Sequence, residues 1–328
     1  VTVLEATQEV GGRVRTFRAE DNSWYVELGA MRLPKKHRLV REYLQQFGLQ
    51  LNPFIQSSPK AWYFINGTRW RAEEVERDPN ILGYPVAPSE RGKSALKLYR
   101  ETLGKAFKTF QKMDCKEYLE KYDSFSTKEY LLKVGNLSRG AVDMIGDLLN
   151  DDAGFYLSFL SSLWDFDIFS DESFDEITGG FDQLPKAFHT ALPGVVQLGC
   201  EVKKIHTKDD QVQVVYWNSQ ENKEATLEAD YVLVTSMAKA TRLTPARPSP
   251  FISPPSHIFL GELGVLLASY TWNDDAAFFT PLSEEQILEL VFRDLADIHR
   301  LSPERLRRLC PHHVVQKWQL DPQALGAF

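Results

Sequence analysis

The sequence is short of cysteine and of positive charge, and it has no long apolar run, no low-complexity tract and no internal repeat. Its three cysteines, Cys115, Cys200 and Cys310, fit no metal-ligand spacing, so no metal site is expected. In a secreted protein an odd count leaves at least one thiol unpaired. No apolar stretch reaches the roughly 18 to 20 residues of a membrane-crossing helix, and no amino-terminal signal segment is visible. Lysine and arginine number 38 against 45 aspartates and glutamates, a net charge of −7 that argues against a nucleic-acid surface. What is present is ample apolar material. With 328 residues, 43% hydrophobic and 12% aromatic, the chain has enough for a large core in two or three lobes.

The most informative residues come first. A β-branched run ends in an acid at Val1-Thr2-Val3-Leu4-Glu5, and Gly11-Gly12-Arg13-Val14-Arg15 and Glu27-Leu28-Gly29-Ala30-Met31-Arg32 follow. This is the pattern of the second half of a dinucleotide-binding βαβ unit. Glu5 is placed to accept hydrogen bonds from ribose hydroxyls. Gly11 and Gly12, without Cβ atoms, let backbone approach a pyrophosphate. Arg13 and Arg15 supply forked donors. The plainer readings are a solvated strand end for Glu5 and an ordinary turn for the glycine pair. The Gly-x-Gly-x-x-Gly phosphate loop belongs about 20 residues before the ribose-binding acid. Only four residues precede Glu5, so the sequence is expected to open inside its nucleotide site.

Longer segments then bear on family. VTVLEA with GGRVRTFR, the run from Trp24 to Asn52, AWYFINGTRWR, the run from Tyr122 to Leu149, FDEITGGFDQLP, ADYVLVTSMAKATRL and VVQKWQLDPQALGAF together resemble the flavin-dependent amine oxidase superfamily. Within it they are most similar to the vertebrate L-amino-acid oxidases of venom, interleukin-induced and milk type. The resemblance implies an α/β fold: a partial Rossmann-like FAD-binding domain (1–14 and 180–248), a mixed-sheet substrate domain (15–71 and 249–328) and a helical lobe (72–179). It implies FAD as cofactor, an L-amino acid and molecular oxygen as substrates, a homodimer, and a secreted or lysosomal location. The sequons Asn66-Gly67-Thr68 and Asn136-Leu137-Ser138 fit that location.

The resemblance also assigns roles. Arg32 matches the arginine that holds the substrate carboxylate, a task that suits a bidentate guanidinium. Gly29, Ala30 and Met31 match positions lining the isoalloxazine, and the backbone of Val202 matches an adenine contact. Without the resemblance, Arg32 reads as an ion-pair residue and Val202 as a strand residue. The implied reaction is oxidative deamination to a 2-oxo acid, ammonia and hydrogen peroxide, with a preference for larger apolar or aromatic side chains.

Several departures from the family are expected to matter. Asp165 stands where venom enzymes carry an active-site histidine. Residues 244–250 lead directly to Phe251-Ile252, so a family lysine near the flavin has no counterpart, and paired family tyrosines align with Ser253 and Pro254. Cys115 and Cys310 match disulfide positions whose partners are absent. The chain is therefore expected to be incomplete at both ends and internally, and to bind FAD weakly or not at all. Two other readings remain: a non-catalytic relative, and a flavin oxidase of other primary amines.

The coarse pattern supplies further expectations. Pro34 ahead of Val40, Tyr43, Leu44 and Phe47 predicts an amphipathic helix with proline in its first turn. Residues 72–172 read as mostly helical, with Tyr99, Leu103, Phe107 and Phe110 on one core-facing stripe and a capping box at Ser126-x-x-Glu129. Val212, Val214 and Tyr216 predict a β-meander, and residues 229–235 a buried strand. Further helix starts are expected at Ser283-x-x-Gln286 and Ser302-Pro303.

Overall fold

The computed structural model describes residues 1–169, 173–208, 211–235 and 264–326. Short strands open the chain: β1 (Val3–Leu4), β2 (Thr16–Arg18), β3 (Tyr25–Glu27) and β4 (Leu33–Pro34). After α1 (Arg38–Gln46) come β5 (Leu51–Phe54) and the hairpin of β6 (Trp62–Ile65) and β7 (Thr68–Arg71). Asn66 and Gly67 turn that hairpin with φ of 50° and 77°, the left-handed pair a two-residue turn requires.

The helical lobe comprises α2 (Ala72–Arg77), α3 (Ala95–Phe110), α4 (Cys115–Tyr122), α5 (Thr127–Glu129), α6 (Arg139–Leu149) and α7 (Phe159–Phe169). The sequence sets its boundaries. Ser94, Asp114 and Ser138 each accept a hydrogen bond from the first turn of α3, α4 and α6, and Ser126 with Glu129 closes the expected capping box. Leu98, Leu103, Leu131, Ile145, Phe159 and Leu163 are almost wholly buried at its centre, each contributing about 1.5 to 3 kcal/mol of apolar burial. The stripe of Tyr99, Leu103, Phe107 and Phe110 faces this core as expected.

The chain then returns through β8 (Phe174–Ile177), which lies between β4 and β5 in an antiparallel sheet, and α8 (Gln183–Ala191). β9 (Val196–Gln197) pairs parallel with β1, and β10 (Cys200–Lys208), β11 (Gln211–Asn218) and β12 (Lys223–Ala229) form the expected meander. Cys200, Val214 and Tyr216 are buried in it. The last helices are α9 (Asn273–Phe279), α10 (Glu284–His299), capped by Ser283 and Gln286, and α11 (Pro303–Leu309), capped by Ser302. No described helix is long and apolar enough to cross a membrane. Among the described residues no cysteine forms a disulfide and no metal-binding cluster occurs.

Two expectations require correction. Pro34 is not in the first turn of a helix. It ends β4, opposite Phe174, and the helix starts four residues later at Arg38. Both Leu33 and Pro34 are buried, and the sheet contact wins over the proline signal. Residues 230–235 do not form a buried strand either: Tyr231 and Leu233 are almost fully exposed. A strand is held by a neighbour, and no described strand pairs with this run. Residues 236–263, which include Ser253 and Pro254, lie outside the described residues.

Candidate active site

The parallel pairing of β1 with β9 carries Glu5 to the end of a strand. Glu5 N donates to Gln197 O at 2.9 Å, and Cys200 N donates to Glu5 O at 2.8 Å. The second bond places Val202, exposed on β10, two residues from that junction. The half-buried Glu5 carboxylate accepts from Thr7 N and Thr7 Oγ1, both at 2.8 Å to Oε1. An acceptor at a strand end beside an exposed strand has the character that ribose hydroxyls need.

The glycine pair turns the chain sharply. Gly11 has φ of 120°, and a Cβ there would stand 2.7 Å from Val14 O. Gly12 has φ of 54° and no protein atom within 4 Å of where its Cβ would be, so its backbone faces open space. Beyond the turn, Leu28 N donates to Arg15 O at 2.9 Å and Ala30 N to Arg13 O at 3.3 Å. Gly29 is thereby pressed against the arginine strand: a Cβ on it would fall 1.8 Å from Arg13 O. Trp318, buried and distant in sequence, donates from Nε1 to Leu28 O at 2.6 Å. The structure thus brings Gly11, Gly12 and Arg13 together with Gly29, Ala30, Met31 and Arg32. Glu5 and Val202 form a second group on β1 and β10.

Below this crossing, a polar network clamps the β2–β3 hairpin to the start of α8. Arg18 grips Asp182 with two 2.7 Å bonds, and Lys186 adds a third contact at 2.5 Å. Burial works against the Asp182 carboxylate, yet Arg18 and Lys186 overcome it and hold its pKa below the usual range. Glu27 accepts from Thr16 Oγ1 at 2.8 Å and Phe181 N at 2.9 Å. Burial nevertheless pushes Glu27 up to about 7.

Arg32 follows directly from the glycine crossing and leads into β4. Its Nη1 donates to Gln56 Oε1 at 2.7 Å, and its guanidinium carbon stands 5.2 Å from the centre of the Phe174 ring. Burial lowers its pKa, while Tyr270 and Asp165 act in the opposite direction.

Of the groups that act on this arginine, sequence reasoning marked Asp165, at the position of the family's histidine, and missed Tyr270. Tyr270 and Asp165 both interact with Arg32, and Asp165 acts in turn on Tyr99 and Asp151. Asp151, hydrogen-bonded to Tyr99, is pushed up to about 7, mainly by burial. Residues 150–153 and 270–273, far apart in sequence, meet here. Asn273 Nδ2 donates to Ala153 O at 2.6 Å, Trp272 Nε1 to Asn150 O at 2.6 Å, and Asn150 Nδ2 to Tyr270 O at 3.2 Å.

Comparison with known proteins bears on family and fold. The family described as flavin containing amine oxidoreductase matches the chain over residues 1–261 and 238–328. The L-amino-acid oxidase of Pseudechis australis is 44% identical over 374 aligned residues, spanning all of this chain and 72% of that protein. That of Gloydius halys is 44% identical, with 74% of its length spanned. The alignments are longer than the 328 residues of the chain, so both relatives carry residues that it lacks. Among solved structures, wild-type putrescine oxidase bound to putrescine is similar with a TM-score of 0.66 at 16% identity, covering 100% of this chain and 81% of the other. Cyclohexylamine oxidase from Brevibacterium oxydans gives 0.53 at 19% identity, covering 70% and 51%. These likenesses establish the mixed α/β fold of FAD-dependent amine oxidases.

Proposed function

The chain belongs to the flavin containing amine oxidoreductases, and from that membership we propose that it is an L-amino-acid oxidase. The reaction converts an L-amino acid, water and dioxygen into a 2-oxo acid, ammonia and hydrogen peroxide. The residues present fit FAD. A strand-end carboxylate at Glu5 suits ribose, and the open backbone at Gly12 suits a pyrophosphate. On this reading Glu5, Gly11, Gly12, Arg13 and the Val202 backbone hold the adenosine and phosphate portion. Gly29, Ala30 and Met31 line the ring system. The chemistry that FAD would supply there is two-electron oxidation at the substrate Cα, with dioxygen as the final acceptor.

The protein's own task is to bind and orient the substrate. Arg32 takes the α-carboxylate through its guanidinium, which Gln56 and the Phe174 ring steady. This placement, one residue after the proposed flavin-lining run, carries the reading. It favours an amino acid over an amine without a carboxylate. The domain division 1–14 with 180–248, 15–71 with 249–328, and 72–179 belongs to the same proposal, as do the homodimer and the secreted or lysosomal location. Support for the location comes from both sequon asparagines, Asn66 in a turn and Asn136 in a loop, which are exposed.

The decisive experiment is a visible spectrum of the chain with FAD in excess, so that even a weak site is filled, followed by anaerobic addition of L-amino acids. The expected result is a protein-perturbed flavin band that bleaches with substrate and recovers with peroxide release on admitting oxygen. A bound flavin that no L-amino acid bleaches overturns the oxidase reading. No bound flavin makes the chain a non-catalytic member of its family.

A further inference from the structure

We propose that Gln56 is a second substrate-binding residue, donating from its amide nitrogen to the α-carboxylate that Arg32 holds. The inference rests on the assignment of Arg32 to the substrate, and adds to it a residue that no sequence motif marked.

The β4–β8–β5 sheet brings the two side chains together. Pro34 on β4 and Phe54 on β5 both pair with Phe174 on β8, so the outer strands flank one buried ring. Arg32 stands two residues before Pro34, and Gln56 two residues after Phe54. The guanidinium lies over Phe174, 5.2 Å from the ring centre, and its Nη1 donates to Gln56 Oε1 at 2.7 Å.

That bond fixes which way the amide faces. Arginine carries donors and no acceptor, so the oxygen of Gln56 must meet Nη1 and the nitrogen must take the other side of the amide. There Nε2 holds two donors, on an exposed side chain, that no described residue accepts. Charged and neutral donors thus stand side by side. A carboxylate has about four acceptor positions on its two oxygens, enough to take both. Gln56 also suits the task by being neutral, since it holds Arg32 without a negative charge that competes with the substrate for the guanidinium. An amine without a carboxylate brings only donors and gains nothing from these.

The test divides L-phenylalanine into its parts: 3-phenylpropanoate keeps the carboxylate and phenethylamine keeps the amine. Calorimetry measures the binding of each to the chain without added FAD, and KM for L-phenylalanine is measured with FAD in excess. Gln56→Leu is expected to weaken 3-phenylpropanoate and to raise KM by about tenfold, the lower end for a hydrogen bond to a charged group, with phenethylamine unchanged. The same loss is expected in an Arg32→Lys background, because Gln56 donates directly rather than through the guanidinium. Gln56→Glu is expected to weaken 3-phenylpropanoate at least as much, since it removes the donor and adds a like charge. Unchanged 3-phenylpropanoate binding in Gln56→Leu, an equal loss for phenethylamine, or a loss that vanishes in the Arg32→Lys background overturns the proposal. A loss in Arg32→Lys with none in Gln56→Leu overturns it alone and leaves Arg32 on the carboxylate. If Arg32→Lys binds 3-phenylpropanoate as the parent does, or the parent does not bind it, the Arg32 reading falls and the proposal with it.

Discussion

At the scale of the residue, the proposed binding of the substrate carboxylate rests chiefly on the side chain of Arg32. That role comes from the resemblance of Gly-Ala-Met-Arg to the family pattern, in which an arginine offers a planar fork to a planar anion; the residue alone reads as an ion-pair arginine. Of its company, only Asp165 was marked by the sequence. Gln56, 24 residues away, and Phe174 and Tyr270, each more than a hundred residues away, act on it from separate segments that no local pattern links. The geometry yields a direct expectation for Arg32→Lys. An ammonium keeps the charge but loses the second parallel bond, and a hydrogen bond between charged groups is worth about 1.5 to 3 kcal/mol. The variant should therefore lose roughly 10- to 100-fold in kcat/KM for L-amino acids, with KM rising. Steady-state peroxide assays at saturating FAD measure this, and an unchanged KM would remove Arg32 from the carboxylate.

At the scale of the element, the sequence was most informative where a side chain bonds its own neighbourhood. The capping serines Ser126, Ser283 and Ser302 stand where their spacing put them, because a cap needs only residues three apart. Prediction failed where an element depends on a distant partner. Pro34 joins a sheet because Phe174 lies opposite, and residues 230–235 have apolar content without a paired strand. The crossing of Gly29 over Arg13 is a dependence of this second kind. No local rule requires glycine there, but a methyl group would overlap a backbone oxygen that cannot rotate away. Gly29→Ala should therefore part the two segments and loosen the Trp318 bond to Leu28. The expected loss is about 3 kcal/mol, read as a shift in the urea midpoint together with increased exposure of tryptophan fluorescence. A midpoint within experimental error of the parent would show that the crossing is not tight.

At the scale of the whole molecule, the carboxyl groups divide into two populations that set opposite limits on stability. Asp175, Asp182 and Glu90 are each opposed by burial but more than compensated by cationic or hydrogen-bonding partners, and lie below their ordinary values. Their contribution is complete above the unfolded carboxylate range and is lost as pH falls through their lowered values. Glu27 and Asp151, pushed up to about 7, and Asp275, pushed up to about 6, are raised chiefly by burial. These keep their protons in the folded state over a range where the unfolded chain has released them. The folded state therefore binds more protons between about pH 4 and pH 7, and stability falls as pH rises through that window. The net charge works in the same direction, since the sequence pI is near 5.6 and self-repulsion grows above it. Unfolding free energy from urea titrations should peak near about pH 5 and decline toward pH 7.5. Glu27→Gln removes one raised proton while keeping an acceptor for Thr16 or Phe181, so it should recover up to about 3 kcal/mol of that decline and leave the acid limb unchanged. Stability that rises steadily from pH 5 to 7.5, or a variant whose profile parallels the parent, would mean that the buried carboxyls are ionised in the folded protein.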